Sequence, residues 1–184
     1  MALRDTVVRC AGIGFEDRGE NKMIGTTPSG AEYPAAVSCH FATCYWLITE
    51  VTGQEPSLNR LMDIVNSNPT QAVSDMVARG RRLLQPKVPL RVTPGSIVVF
   101  MNGAIPDHSC TAIDPIYMMG YNQTGWFANG FKHKVSTHPI TQLAWGKSLN
   151  ANMVERYAKG FYELWTVDET DAIDVIQKKV IAAG

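Results

Sequence analysis

The sequence predicts an α+β fold. Helical periodicity is concentrated in residues 38 to 85, short β-type runs cluster in 95 to 128, and a helical and strand tail fills 139 to 184. Elements segregated in this way pack as helices on an antiparallel sheet, whereas a parallel α/β fold would alternate them. The 184 residues, 45% of them hydrophobic, suffice for one domain with a sizeable core.

Residues 1 to 37 are rich in Gly, Thr, Pro and charge and read as a loop-rich lead-in, with one short strand at Arg4 to Ala11. From Ser38 the pattern becomes helical: Phe41, Cys44, Tyr45, Ile48 and Val51 recur at helix spacing, Ser38 is a suitable N-cap, and Gly53 closes the segment. Ser57 caps a second helix through Leu58, Leu61, Met62 and Val65, which stops at Asn68-Pro69. Thr70 opens a third, with Val73, Met76, Val77 and Leu84 on its apolar side. Pro86, Pro89 and Pro94 then punctuate an extended connection. Strands are expected at 96 to 101, 108 to 113, 116 to 121 and 125 to 128, with Asn102-Gly103 and Asp114-Pro115 as turns, a spacing that favours an antiparallel meander. Short helices are expected at 139 to 145 and 150 to 159. Phe161 to Val167 alternates as a strand, and Asp168 caps a final amphipathic helix to Ala182.

Composition excludes several classes of function. Seventeen basic residues balance 17 acidic ones, which is neither a generally basic nucleic-acid binder nor an acidic disordered tail. No run of about eighteen apolar residues is present to span a membrane, and Met1-Ala2-Leu3-Arg4-Asp5 lacks the apolar stretch of a secretory signal. The expectation is a chain made in the cytosol without a cleaved signal peptide. Cysteines at 10, 39, 44 and 110 match no CxxC zinc framework and are expected as free thiols, with no metal and no cofactor. Gly12-x-Gly14 lacks the third glycine and the strand-to-helix setting of a dinucleotide loop.

Cys39 is the first candidate for chemistry. It follows a Pro-containing loop and stands in the expected first turn of a helix, where unsatisfied N–H groups and the positive dipole end favour an anion. Cys44 lies about 140° further round that helix, among Tyr45, Trp46 and Leu47, where a packed thiol is the ordinary outcome. It is nevertheless a rival nucleophile if Thr43 caps a shorter helix. His108 opens an expected strand, and Asn122 would return beside it on the next one. A cysteine nucleophile needs an imidazole to take its proton and a third polar group to hold the imidazole tautomer, so Cys39, His108 and Asn122 form a coherent triad. Asp107, Asn129 and His138 are rivals for the third position, and His40 is expected to point elsewhere on its helix.

These residues resemble the papain-like cysteine hydrolase superfamily. Cys39-His-Phe-Ala-Thr-Cys-Tyr-Trp-Leu resembles the nucleophile motif of the YopT and AvrPphB type of bacterial effector protease, with Cys39, Thr43, Trp46 and Leu47 in register. His108, Asn122 and the Gly125-Trp126-Phe127 turn resemble the His, Asp/Asn and aromatic strand that follow. Pro94 to Ile113 resembles the strand pair of NlpC-type and CHAP-type amidases. The resemblance covers about residues 38 to 128, and the residues before Cys39 lack the polar oxyanion donor common in such enzymes. It implies one papain-like domain, with the nucleophile helix packed on an antiparallel sheet. The implied enzyme is a secreted or injected effector or toxin that cleaves or deamidates a host protein. The alternatives are a peptidoglycan amidase delivered into rival bacteria, with a peptidoglycan peptide as substrate, or a non-enzymatic binding module. No nucleic-acid partner and no membrane span are implied.

Other features read as structural. The tryptophans at 46, 126, 145 and 165 are expected in the core or a cleft wall. Arg79, Arg81, Arg82, Lys87 and Arg91 form a basic run that reads as a solvated helix end and linker, with contact to phosphate or an acidic partner as the alternative. Asp168, Glu169, Asp171 and Asp174 suit the first turns of the last helix.

Overall fold

The computed structural model describes residues 2–11, 14–17, 23–26, 32–34, 39–83, 91–127, 130–139 and 163–184. Helices and antiparallel sheet are combined as an α+β fold. The elements in chain order are α1 (Leu3–Arg9), β1 (Gly14–Asp17), β2 (Met23–Thr26), β3 (Glu32–Pro34), α2 (Cys39–Thr52), α3 (Leu58–Ile64) and α4 (Pro69–Val77). They continue with β4 (Arg81–Leu83), β5 (Ile97–Asn102), β6 (Ile105–Ala112), β7 (Tyr117–Phe127), β8 (Gly130–Pro139), β9 (Glu163–Val167) and α5 (Glu169–Ala182). Strands β1 to β3 form a small antiparallel sheet, and the larger sheet has the order β4-β9-β5-β6-β7-β8.

Local signals explain the helix ends. Ser57 Oγ accepts from Arg60 N at 3.2 Å, and Asn68 Oδ1 accepts from Gln71 N at 3.0 Å, each satisfying a donor of the first turn. Gly53 takes φ +72° just past α2, the left-handed conformation that glycine adopts without strain. Asp168 stands at the N-cap of α5 without a side-chain cap bond, its carboxylate facing Arg81 at 3.8 Å instead.

Several expected elements are different in the structure. In place of the strand expected at Arg4 to Ala11 there is a helix over Leu3–Arg9 followed by a turn at Cys10 and Ala11, because Leu3, Thr6 and Val7 are buried at i, i+3 and i+4 while Val8 is exposed. Part of the expected loop-rich lead-in forms β1 to β3. The third helix begins at Pro69, one residue before Thr70, and ends at Val77, after which Arg81–Leu83 pairs with β9 as an edge strand. Leu84 lies outside the described residues, as do 140 to 162, which carry most of the two short helices expected after 139. The expected strands at 116 to 121 and 125 to 128 are one strand, β7, whose register with β8 shifts between Gln123 and Trp126. Its partner β8 has no counterpart in the expected elements.

Helix α2 is the centre of the molecule. Every residue from Cys39 to Thr49 is buried, so the expected one-sided stripe is in fact an all-round interior surface. It packs with α1, α3, α4 and α5 against the sheet face carrying Ile97, Val99, Met101 and Tyr121. The opposite face carries Val92, Val98, Phe100, Cys110, Ala112, Met118 and Leu164. A strand buried on both faces shows a continuous apolar run, which is what Ile97-Val-Val-Phe-Met supplies. The N-terminus of α1 is tied to α5, since Leu3 N donates to Glu169 Oε1 at 2.7 Å. Gly95, at φ +90°, lets the chain pass against that same Glu169, where any Cβ would meet the carboxylate.

Three arginines of the basic run are paired, while Arg91 is exposed and makes no ion pair among the described residues. Arg79 meets Asp174, Arg81 meets Asp168 at 3.8 Å, and Arg82 meets Glu163 at 3.0 Å, joining β4 and the end of α4 to β9 and α5. These exposed pairs register the elements and add little stability each, about 0.2–1 kcal/mol. Lys87 lies outside the described residues. No helix among the described residues is long and apolar enough to cross a membrane.

Candidate active site

A β-bulge builds the site. Phe100 pairs with His108 and Met101 with Pro106, so Asp107 is an extra residue on β6 and the strand bends there. The bend presents two successive carbonyls to the first turn of α2. Pro106 O accepts from His40 Nε2 at 2.8 Å, and Asp107 O accepts from Cys39 Sγ at 3.8 Å. Two consecutive side chains of the helix are therefore held by two consecutive carbonyls of the strand.

Cys39 is the first residue of α2, beside N–H groups that have no partner within the helix. It is 8% exposed, against 1% for Cys10 and 0% for Cys44 and Cys110, so of the four free thiols it is the one nearest solvent. Cys44 is enclosed, and burial pushes its thiol up to about 12, with Lys179 opposing and Cys39 adding to the rise. Thr43 lies within the helix, not at its cap, and this removes the setting in which Cys44 would be the nucleophile.

The imidazole beside Cys39 is that of His40. Its Nδ1 lies 3.8 Å from Cys39 Sγ and 2.9 Å from Ser109 Oγ. Because a carbonyl only accepts, the bond to Pro106 fixes a proton on Nε2 and leaves Nδ1 as the nitrogen that can take one. Burial is the largest influence on the ring and favours its neutral form. The charge and hydrogen bond of Cys39 and the Pro106 carbonyl outweigh that, with His108 opposing them, and raise the ring above its ordinary value of 6.5. Ser109 Oγ also meets Thr43 Oγ1 at 2.8 Å, and Thr43 Oγ1 is 3.2 Å from the Cys39 carbonyl.

The structure does not bring His108 to Cys39. The sequence places His108 at the head of a strand, but β6 begins at Ile105, so His108 is an interior strand residue with a fixed face. Ser109 faces α2, and alternation turns His108 to the other side, where its Nε2 lies 3.1 Å from Cys110 Sγ and its ring lies beside Phe100 at 5.8 Å between centroids. Asn122 is on β7 across from Lys134. The described β6–β7 pairing is confined to Thr111 opposite Met119 and Ala112 opposite Met118. Of the imidazoles the sequence offers, the structure sets that of His40 beside Cys39.

Among the rival third residues, Asp107 is the bulge residue, with an exposed side chain that accepts from Asn102 Nδ2 at 3.4 Å. His138 is on β8 across from Met118, and Asn129 lies outside the described residues. His40 is the residue that sequence reasoning set aside. Its adjacency to Cys39 was visible, but its orientation depends on Pro106 and Ser109, more than 60 positions away. Comparison of the chain with protein-family models, with curated proteins and with solved structures finds no match to any of them.

Proposed function

We propose that the chain is a cysteine hydrolase that opens an amide bond through Cys39, with His40 as the general base and acid. The observation that carries this reading is the placement of His40 Nδ1 3.8 Å from the thiol at a helix start, with Nε2 anchored to a carbonyl. The Pro106 carbonyl then does what Asn122 is expected to do in the triad read from sequence: it holds the tautomer. Nδ1 takes the Sγ proton as sulfur attacks the substrate carbonyl, and first-turn N–H groups of α2, which have no partner within the helix, are the donors for the developing oxyanion. Nδ1 next protonates the departing nitrogen, leaving a thioester on Cys39. Water gives up a proton to Nδ1 as it attacks the thioester, and the carboxylic acid and free thiol are regenerated.

A helix that starts at Cys39 and lies on an antiparallel sheet supports the part of the papain-like resemblance carried by the nucleophile motif, whereas its His108 and Asn122 are not beside Cys39. Under that resemblance the substrate is a host-protein peptide bond or Gln/Asn side chain, with a peptidoglycan peptide as the alternative. The chemical step is tested with p-nitrophenyl acetate, which acylates a reactive thiol and releases nitrophenolate. The native chain is expected to give a burst of one equivalent followed by turnover, with the acetyl group found on Cys39 by peptide mass. Cys39→Ala is expected to give neither. A burst that survives in Cys39→Ala, or the absence of any burst from the native chain, would return the domain to a binding role.

A further inference from the structure

We infer that Ser109 and Thr43 are positioning residues for His40, their hydroxyls forming a relay from Nδ1 to the Cys39 carbonyl that is complete only when the ring carries both protons. The inference rests on the proposed role of His40, and it follows from counting hydrogens. Three contacts form the relay: His40 Nδ1 to Ser109 Oγ at 2.9 Å, Ser109 Oγ to Thr43 Oγ1 at 2.8 Å, and Thr43 Oγ1 to the Cys39 carbonyl at 3.2 Å. Each needs one hydrogen, and each hydroxyl has one to give. The Cys39 carbonyl only accepts, so Thr43 must donate to it. Ser109 must then donate to Thr43, and Nδ1 must donate to Ser109. Nε2 already donates to Pro106 O, so a ring that satisfies all three contacts is an imidazolium.

With a neutral ring only two hydrogens serve three contacts. Ser109 donates to Nδ1, Thr43 donates to Ser109, and the longest contact, to the Cys39 carbonyl, is not a hydrogen bond. When Nδ1 takes the proton from Cys39 Sγ, Ser109 turns its hydrogen to Thr43 and Thr43 turns its own to the carbonyl. No proton leaves the relay, and one hydrogen bond is gained in a buried setting where an unmade bond is costly. Thr43 and Ser109 are both fully buried, which leaves water no ready access to replace either. Among the described residues, the titratable groups acting on the ring are Cys39 from α2 and His108 from β6. The relay therefore favours His40 in the state it occupies just after the thiol has been deprotonated.

The test follows the His40 ring nitrogens by NMR across pH in the native chain, Thr43→Val, Ser109→Ala and Thr43→Ser, with Cys39 alkylation by iodoacetamide measured in parallel. Thr43→Val and Ser109→Ala are expected to lower the His40 midpoint by about one pH unit and to slow alkylation at pH 6 about tenfold, the loss of one hydrogen bond to a charged group. Thr43→Ser, which keeps the hydroxyl, is expected to keep the native midpoint. The inference is overturned if Thr43→Val and Ser109→Ala titrate as native does, or if Thr43→Ser falls as far as Thr43→Val, which would assign the effect to packing. Should one of the first two variants fail to fold, the other decides. A midpoint that falls while alkylation is unchanged upholds the relay and removes His40 as the base. An unmoved midpoint in a chain whose alkylation still needs His40 removes the relay and keeps the base.

Discussion

Replacing His40 with Asn is expected to slow alkylation of Cys39 by iodoacetamide at pH 6 about a hundredfold, the scale of a lost general base, and Cys39→Ala is expected to abolish the fast adduct. The reason is positional: His40 Nδ1 is the nitrogen at 3.8 Å from Sγ, while His108 projects from the opposite face of β6. His108→Ala is therefore expected to leave the rate within about twofold of native. Cys44 should take up reagent only after unfolding, because burial holds its thiol at about 12. Intact-mass kinetics on the native chain and the three variants, with near-UV circular dichroism to confirm folding, read all of this at once. A rate that depends on His108 and not on His40 would reassign the base.

Trp46→Ala is expected to cost about 3–5 kcal/mol, the largest stability loss from any single truncation in α2. Trp46 is fully buried, lies on the innermost helix, and its Nε1 donates to the Cys10 carbonyl at 3.0 Å. Truncation leaves a cavity among α1 and α2 and orphans a buried carbonyl, two penalties that add. Trp46→Phe keeps most of the volume and loses the donor, and is expected to cost about 1–3 kcal/mol. Urea unfolding with unchanged m-value measures both. A Trp46→Ala loss below about 1 kcal/mol would mean that α1 does not hold α2 as described.

The elements legible in the sequence were those whose causes are local. The final helix ends at Ala182 as its periodicity requires, Ser57 caps α3, and Gly53 follows α2 with a positive φ. Elements set by distant partners were not legible. Arg81–Leu83 continues a helical pattern but pairs with β9, and β8 carries Lys132, His133 and Lys134, which give no apolar signal until β7 is beside them. The candidate site divides in the same way. Cys39 at a helix start is a local property. The bulge at Asp107 is a property of two strands, and it decides that His40, not His108, faces the thiol.

His40 also links the site to stability. Its folded value lies above its ordinary 6.5, so the stability it contributes is fully present below about pH 6.5 and is lost as pH rises through the folded value. In Cys39→Ala the charge and hydrogen bond of the thiol are gone; burial, the largest influence, and His108 still lower the ring, and the Pro106 carbonyl that still raises it is the smaller effect. The sign then reverses: the contribution is present above the ordinary value and is lost as pH falls through a depressed one.

That reversal makes the ring titration of His40 in the native chain and in Cys39→Ala the most direct measurement of the Cys39–His40 pair. A native midpoint above 6.5 that drops below 6.5 in Cys39→Ala is the predicted result. The same midpoint in both proteins would mean that the ring does not sense the thiol, and would contradict the pair on which the proposed chemistry stands.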